Sequence, residues 1–184
     1  MKQGWHPDEL VQHWTLSREE RALLGNKAGA TRLGFAVLLK AFQFEGRFPE
    51  RREEVVTQIV FHLANQTGVP LETYFEEEWS ERTQRHQRAQ IREYCGFQLF
   101  HAEDEPTFIA WLKERVASFN SEAEAFKIAA YSHLRMLCLE PLPPERMRRL
   151  LRLAVAQREE QMVAEATARW CFRYFLIGPV SDLP

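Results

Sequence analysis

LSREERALLGNKAGATRLGFAVLLKAFQFEGRFP, Leu16 to Pro49, decides the fold of this chain, because it reads as helix, tight turn and apolar helix. Ser17 followed three residues later by Glu20 makes a capping box, in which hydroxyl and carboxylate satisfy backbone donors left open at a helix start. The first helix therefore begins at Arg18. Gly25, Asn26 and Gly29 gather where that helix must stop, since glycine and asparagine tolerate the left-handed geometry of a helix end. A second helix restarts near Ala30 and buries Leu33, Phe35, Ala36, Val37, Leu38, Leu39 and Phe42, leaving Lys27, Thr31 and Arg32 as its early exposed residues. The layout fits a helix-turn-helix, whose second helix offers N-terminal side chains to DNA. Taken alone, the same spacing favours a helical hairpin in which two helices simply pack.

Outward from this stretch, helical spacing recurs almost throughout and no segment alternates as a strand would, so the class is all-α. Pro49 and Glu50 begin a helix in which Val55, Ile59, Leu63 and Gln66 fall on adjacent turns, ended by Gly68 and Pro70. Leu71 to Trp79 reads as a short helix closing in the acidic patch Glu76, Glu77 and Glu78. Ser80 caps a helix that runs over Arg82 to Cys95, and Gly96 stops it. Glu103 to Pro106 start another, with Phe108, Ile109, Leu112 and Val116 on its buried side and an end near Phe119. Ser121 and Glu124 form a second capping box before the core stripe Phe126, Ala130, Leu134 and Leu137. Pro144 suits a first helical position, and the segment from Glu145 to about Trp170, free of glycine and proline, predicts a helix approaching about 40 Å. Met147, Leu151 and Ala154 form its seam, and Gln157 to Gln161 its exposed middle. The expected organisation is a first helical subdomain over residues 1–70, a second over 71–175 sharing its core, and an irregular tail over 176–184.

The 184 residues, 45% hydrophobic and 27% charged, describe a chain with a packed interior rather than a disordered one. A formal net charge of −2 means that any polyanion-binding face must be local. Cys95, Cys138 and Cys171 are few and far apart, which points to a reducing, cytoplasmic compartment and no disulfide framework. No apolar run has membrane length and the N-terminus has no signal-peptide pattern.

Within SERTQRHQRAQIREYCGF, Ser80 to Phe97, Arg85, Arg88 and Arg92 recur at three- and four-residue intervals with Arg82 one turn earlier, which makes one helical stripe basic. Such a stripe can lie along phosphates; alternatively it is a solvated face whose arginines pair with Glu81, Glu93 and the Glu76 to Glu78 patch. Arg146, Arg148, Arg149 and Arg152 form a second basic cluster at a helix start whose dipole they oppose, so they are either tolerated by solvent, the preferred reading, or held by an outside anion. The six histidines have no metal-ligand spacing, there is no phosphate loop, dinucleotide fingerprint or nucleophile elbow, and no nucleophile has an evident base. No catalytic residue, metal site or cofactor is expected.

In order, TLSREERALLGNKAGATRLGFAVLLKAFQFEGRFP, VVTQIVFHLANQTGV and RTQRHQRAQIREYCGFQLF resemble the N-terminal region of transposases of the Tn-three family, over about Asp8 to Ala168. RLGFAVLLK, Arg32 to Lys40, and IREYCGF, Ile91 to Phe97, are the most specific parts of the match. The resemblance implies an all-helical, double-stranded-DNA-binding region of helix-turn-helix units that recognises terminal inverted repeats. Lys27, Thr31 and Arg32 would approach one groove, and Arg82, Arg85, Arg88 and Arg92 a neighbouring backbone segment. The family's acidic catalytic residues lie downstream of anything in this chain, so the resemblance implies no enzyme here. RWCFRYFLIGPVSDLP departs from the family's continuation, as a truncated or frameshifted copy would. The alternative is a helical protein-interaction module that docks on full-length transposase or on a second copy of itself.

Overall fold

The structure, a computed structural model, describes residues 4–76, 80–116 and 123–177. It is all-α, and no strand occurs among the described residues. The helices are α1 Pro7–Trp14, α2 Arg18–Leu23, α3 Gly29–Glu45, α4 Thr57–Thr67, α5 Leu71–Glu76, α6 Glu81–Cys95, α7 Glu105–Arg115, α8 Ala123–Met136 and α9 Pro144–Ile177. Contacts divide the chain into two units, one of residues 1–99 with 134–141 and one of 100–133 with 142–184. The first unit thus runs past residue 70 and takes in α6.

The first unit is built around α3. Every residue from Leu33 to Phe42 is buried, including the polar Lys40, because α1, α4, α5 and α6 all pack against this one helix. A helix apolar on all sides must lie inside a protein, and that is why RLGFAVLLK shows no amphipathic stripe. Ser17 starts α2 as its sequence requires: Glu20 N donates to Ser17 Oγ at 3.1 Å and Ser17 N to Glu20 Oε2 at 2.7 Å. The same carboxylate reaches α3, 3.4 Å from Lys40 Nζ and 2.7 Å from Gln43 Nε2. Glu20 and Lys40 are only 5% and 9% exposed, so this buried pair ties α2 to α3.

Gln66 does the equivalent for the link between α1 and α2. Its Oε1 accepts from Leu16 N at 2.8 Å while its Nε2 donates to Trp14 O at 3.1 Å, and Arg21 donates to the Gln66 carbonyl. A polar residue in an apolar seam therefore closes otherwise open backbone groups.

Two expectations need correction here. The helix placed from Pro49 starts only at Thr57, because Glu54 accepts from the amides of Glu50 and Arg51 and from Arg47 and closes a single 3-10 turn over Arg52–Glu54. Leu137, expected in the core stripe with the buried Phe126, Ala130 and Leu134, is exposed. α8 has already ended at Met136, and Cys138 turns the chain with φ +53°. The expected end near Phe119, the cap at Ser121 and the acidic patch beyond Glu76 lie outside the described residues.

The segment after α8 returns to the first unit through an isolated parallel bridge, with Gln98 N donating to Cys138 O at 2.8 Å and Glu140 N to Gln98 O at 2.7 Å. In the second unit α7 packs on α9, whose Met147, Leu150 and Ala154 are buried. α9 spans 34 residues, longer than the expected helix. No helix of the described residues is long and apolar enough to cross a membrane.

Candidate nucleic-acid interface

α6 is strongly polar, and only a narrow strip of it is buried. Ser80 Oγ accepts from Thr83 N at 3.2 Å to start it, and Gly96, at φ +72°, ends it. Gln87 and Ile91, four residues apart, face inward at 2% and 0% exposure. Gln87 Nε2 donates to the backbone carbonyl of Thr31 at 2.9 Å, which bolts α6 onto the first turn of α3. Arg82, Arg85 and His86 are exposed on the outer face.

The basic stripe splits where it meets this buried strip. Arg88 and Arg92 follow Gln87 and Ile91 by one position each, so the 3.6-residue period places them at the edge of the buried face rather than opposite it. Arg88 lies over the Phe48 ring, 5.3 Å from its centroid, and Nη2 donates to Pro49 O at 3.1 Å. Burial lowers the pKa of its guanidinium, an effect that Glu140 opposes and Arg92 reinforces. Arg92 Nη1 donates to Glu140 Oε2 at 2.8 Å, with both side chains at least four-fifths covered. Burial raises the Glu140 carboxyl above its ordinary range despite the pull of Arg92 and Arg88. The expected partners of the stripe were acids close in sequence; Glu140 lies 48 residues from Arg92.

At the start of α3, Lys27 Nζ donates to Leu23 O and to Asn26 Oδ1, both at 3.0 Å, and sits 4.2 Å from the centroid of the Phe35 ring. Partial burial lowers its pKa. Thr31 and Arg32 are half-buried, and Arg32 Nε is enclosed without a hydrogen-bond partner. An open cleft of about 590 Å³ separates this turn from α6, lined by Asn26, Lys27, Phe35, Gln90 and Tyr94 among others. Lys27 and Thr31 are thus brought beside α6, and Arg82 and Arg85 are its exposed cations, whereas Arg88 and Arg92 are committed internally. Because Leu33 to Phe42 are buried, α3 can present only its two ends to a ligand, and its first turn is the end beside α6.

Gln87 is the residue that sequence reasoning passed over. Its position four residues before Ile91 was the available signal, since a polar residue in phase with a buried one commonly bonds backbone. Three arginines of the second basic cluster have partners: Arg146 and Arg149 reach Glu105 at 2.9 Å and 3.5 Å, and Arg148 pairs with Glu145. Among the described residues no group of His, Cys, Asp and Glu side chains is placed to hold a metal ion.

A family model described as a domain of unknown function, DUF4158, matches residues 2–136. Over 94 residues, half of this chain, the sequence is 31% identical to the transposase for transposon Tn3926 of Escherichia coli. The matched part makes up only 10% of that relative. With nearly three-quarters of its length matched to the model, the chain belongs to the DUF4158 family and is related to a transposase.

Proposed function

We propose that this chain is a DNA-binding module of a transposase, directed to the terminal inverted repeats of a transposon, and that it carries none of the transposase's catalysis. The observation that supports this most is the Gln87 to Thr31 bond, which gathers the polar start of α3 and the exposed arginines of α6 in a chain related to a transposase. Arg82 and Arg85 contact phosphates, for which the planar guanidinium is suited. Lys27 from the turn before α3, and Thr31 and Arg32 from its first turn, approach the base edges in the manner of a helix-turn-helix recognition helix. Arg88 and Arg92 act one step back: they hold α6 against Pro49 and Glu140 so that the outer face keeps its direction.

Selection from a random-sequence duplex pool tests this directly. The expected outcome is an enriched motif matching the terminal repeats of the transposon that carries the gene, retained in a gel shift against the scrambled duplex. Equal retention of both duplexes would overturn the assignment to transposon ends, and no retention of either would overturn DNA binding.

A further inference from the structure

We propose that Gln90 is a specificity-determining residue of this chain, which selects an adenine by reading its major-groove edge from the flank of α6; this role rests on the DNA binding proposed above. Gln90 stands three residues past Gln87, which bonds the backbone of Thr31, and four past the exposed His86. The 3.6-residue period therefore puts it on the side of α6 between the buried strip and the outer face, where it lines the open cleft together with Asn26 and Lys27. Its side chain is half-buried, and its Oε1 is enclosed without a hydrogen-bond partner among the described residues. An enclosed amide oxygen left unpaired is costly, and such a group in a native fold calls for a use. Gln87 Oε1 is unpaired too, but at 2% exposure it is out of a ligand's reach, whereas Gln90 borders open space.

The neighbours of Gln90 favour a base edge over the DNA backbone. Glu93, one turn further along α6, lines the same cleft, and its carboxylate repels phosphate. The phosphate contacts proposed for Arg82 and Arg85 belong to the outer face instead. A base edge is neutral and is met by paired donors and acceptors. Among the four bases, adenine alone sets a donor, N6, beside an acceptor, N7, in the major groove, and a glutamine amide offers the matching acceptor and donor. Lys27 cannot take that place, because its ammonium only donates and is already bonded to Leu23 O and Asn26 Oδ1.

Selection from a random-sequence duplex pool with wild type, Gln90→Ala and Gln90→Lys is the test, followed by titration of each protein with motif duplexes that carry adenine or guanine at the selected position. Both replacements are good helix formers, so α6 is kept. Wild type is expected to hold the adenine duplex about tenfold more tightly than the guanine duplex. Gln90→Ala is expected to hold the two equally, at an unchanged melting temperature and with the wild-type salt slope. Gln90→Lys is expected to invert the preference, since lysine donates to guanine O6 and N7. Each preference is a ratio within one protein, so a change in overall affinity cancels. A wild-type motif without adenine, or an adenine preference that survives in both variants, overturns the role of Gln90 and leaves the proposed DNA binding standing. A wild type that retains no duplex overturns the DNA binding, and this role with it.

Discussion

Lys40 is a cation held inside the protein by a charged partner. It sits in the middle of an apolar helix, 9% exposed, and its ammonium is 3.4 Å from both oxygens of Glu20. Removing one member of a buried ion pair leaves the other charged and desolvated. Lys40→Ala is expected to cost about 3–5 kcal/mol in urea unfolding, and adding Glu20→Gln to recover much of that loss. An additive double variant would mean that the two residues do not act as a pair. His133 gives a pH signature at the same scale. Its ring stacks on Trp111 with centroids 3.9 Å apart, and burial and then the nearby Arg115 charge lower its pKa from 6.5. A histidine with a depressed folded pKa stabilises above its unfolded value, and that contribution is lost as pH falls through the folded one. Stability is therefore expected to decline as pH is lowered from 7 through the ordinary histidine range, and less steeply in His133→Phe. Identical pH slopes for the two proteins would rule out this origin.

Among the elements, those with strong local punctuation were legible from sequence. Ser17 with Glu20, Ser80, Gly68 and Gly96 bound their helices where they were expected, because caps act through backbone groups within a few residues. α4 began later than expected because the Glu54 carboxylate gathers three neighbouring donors into a turn, a competition that apolar periodicity does not reveal. The basic stripe of α6 was legible as a pattern and misleading as a surface. Which of its arginines turn inward depends on Pro49 and on Glu140, and the latter is brought near only by the bridge between Gln98 and Leu139. Gly46 offers a test of how firmly α3 is ended. It holds φ +70°, its N–H bonds Phe42 O at 2.7 Å, and a β-carbon there would meet the Arg135 guanidinium. Gly46→Ala is expected to cost about 1–2 kcal/mol from the left-handed backbone. An unchanged midpoint in chemical denaturation would contradict that strain.

For the whole molecule, a net charge of −2 constrains the proposed DNA binding. There is no global cationic field to hold a duplex, so affinity must come from a few placed guanidinium groups and must carry the salt dependence of those contacts. Arg82 and Arg85 are exposed and Arg92 is paired with Glu140, so the proposed interface predicts different behaviour for residues of one helical stripe. The most direct measurement is the salt dependence of duplex binding, by fluorescence anisotropy between about 50 and 200 mM salt, for wild type, Arg82→Ala, Arg85→Ala and Arg92→Ala. Arg82→Ala and Arg85→Ala are each expected to weaken binding to every duplex and to reduce the slope of log K against log salt by about one unit. Arg92→Ala is expected to lower stability and leave the slope alone. A slope unchanged by both Arg82→Ala and Arg85→Ala would contradict the α6 face as the place where this chain holds DNA.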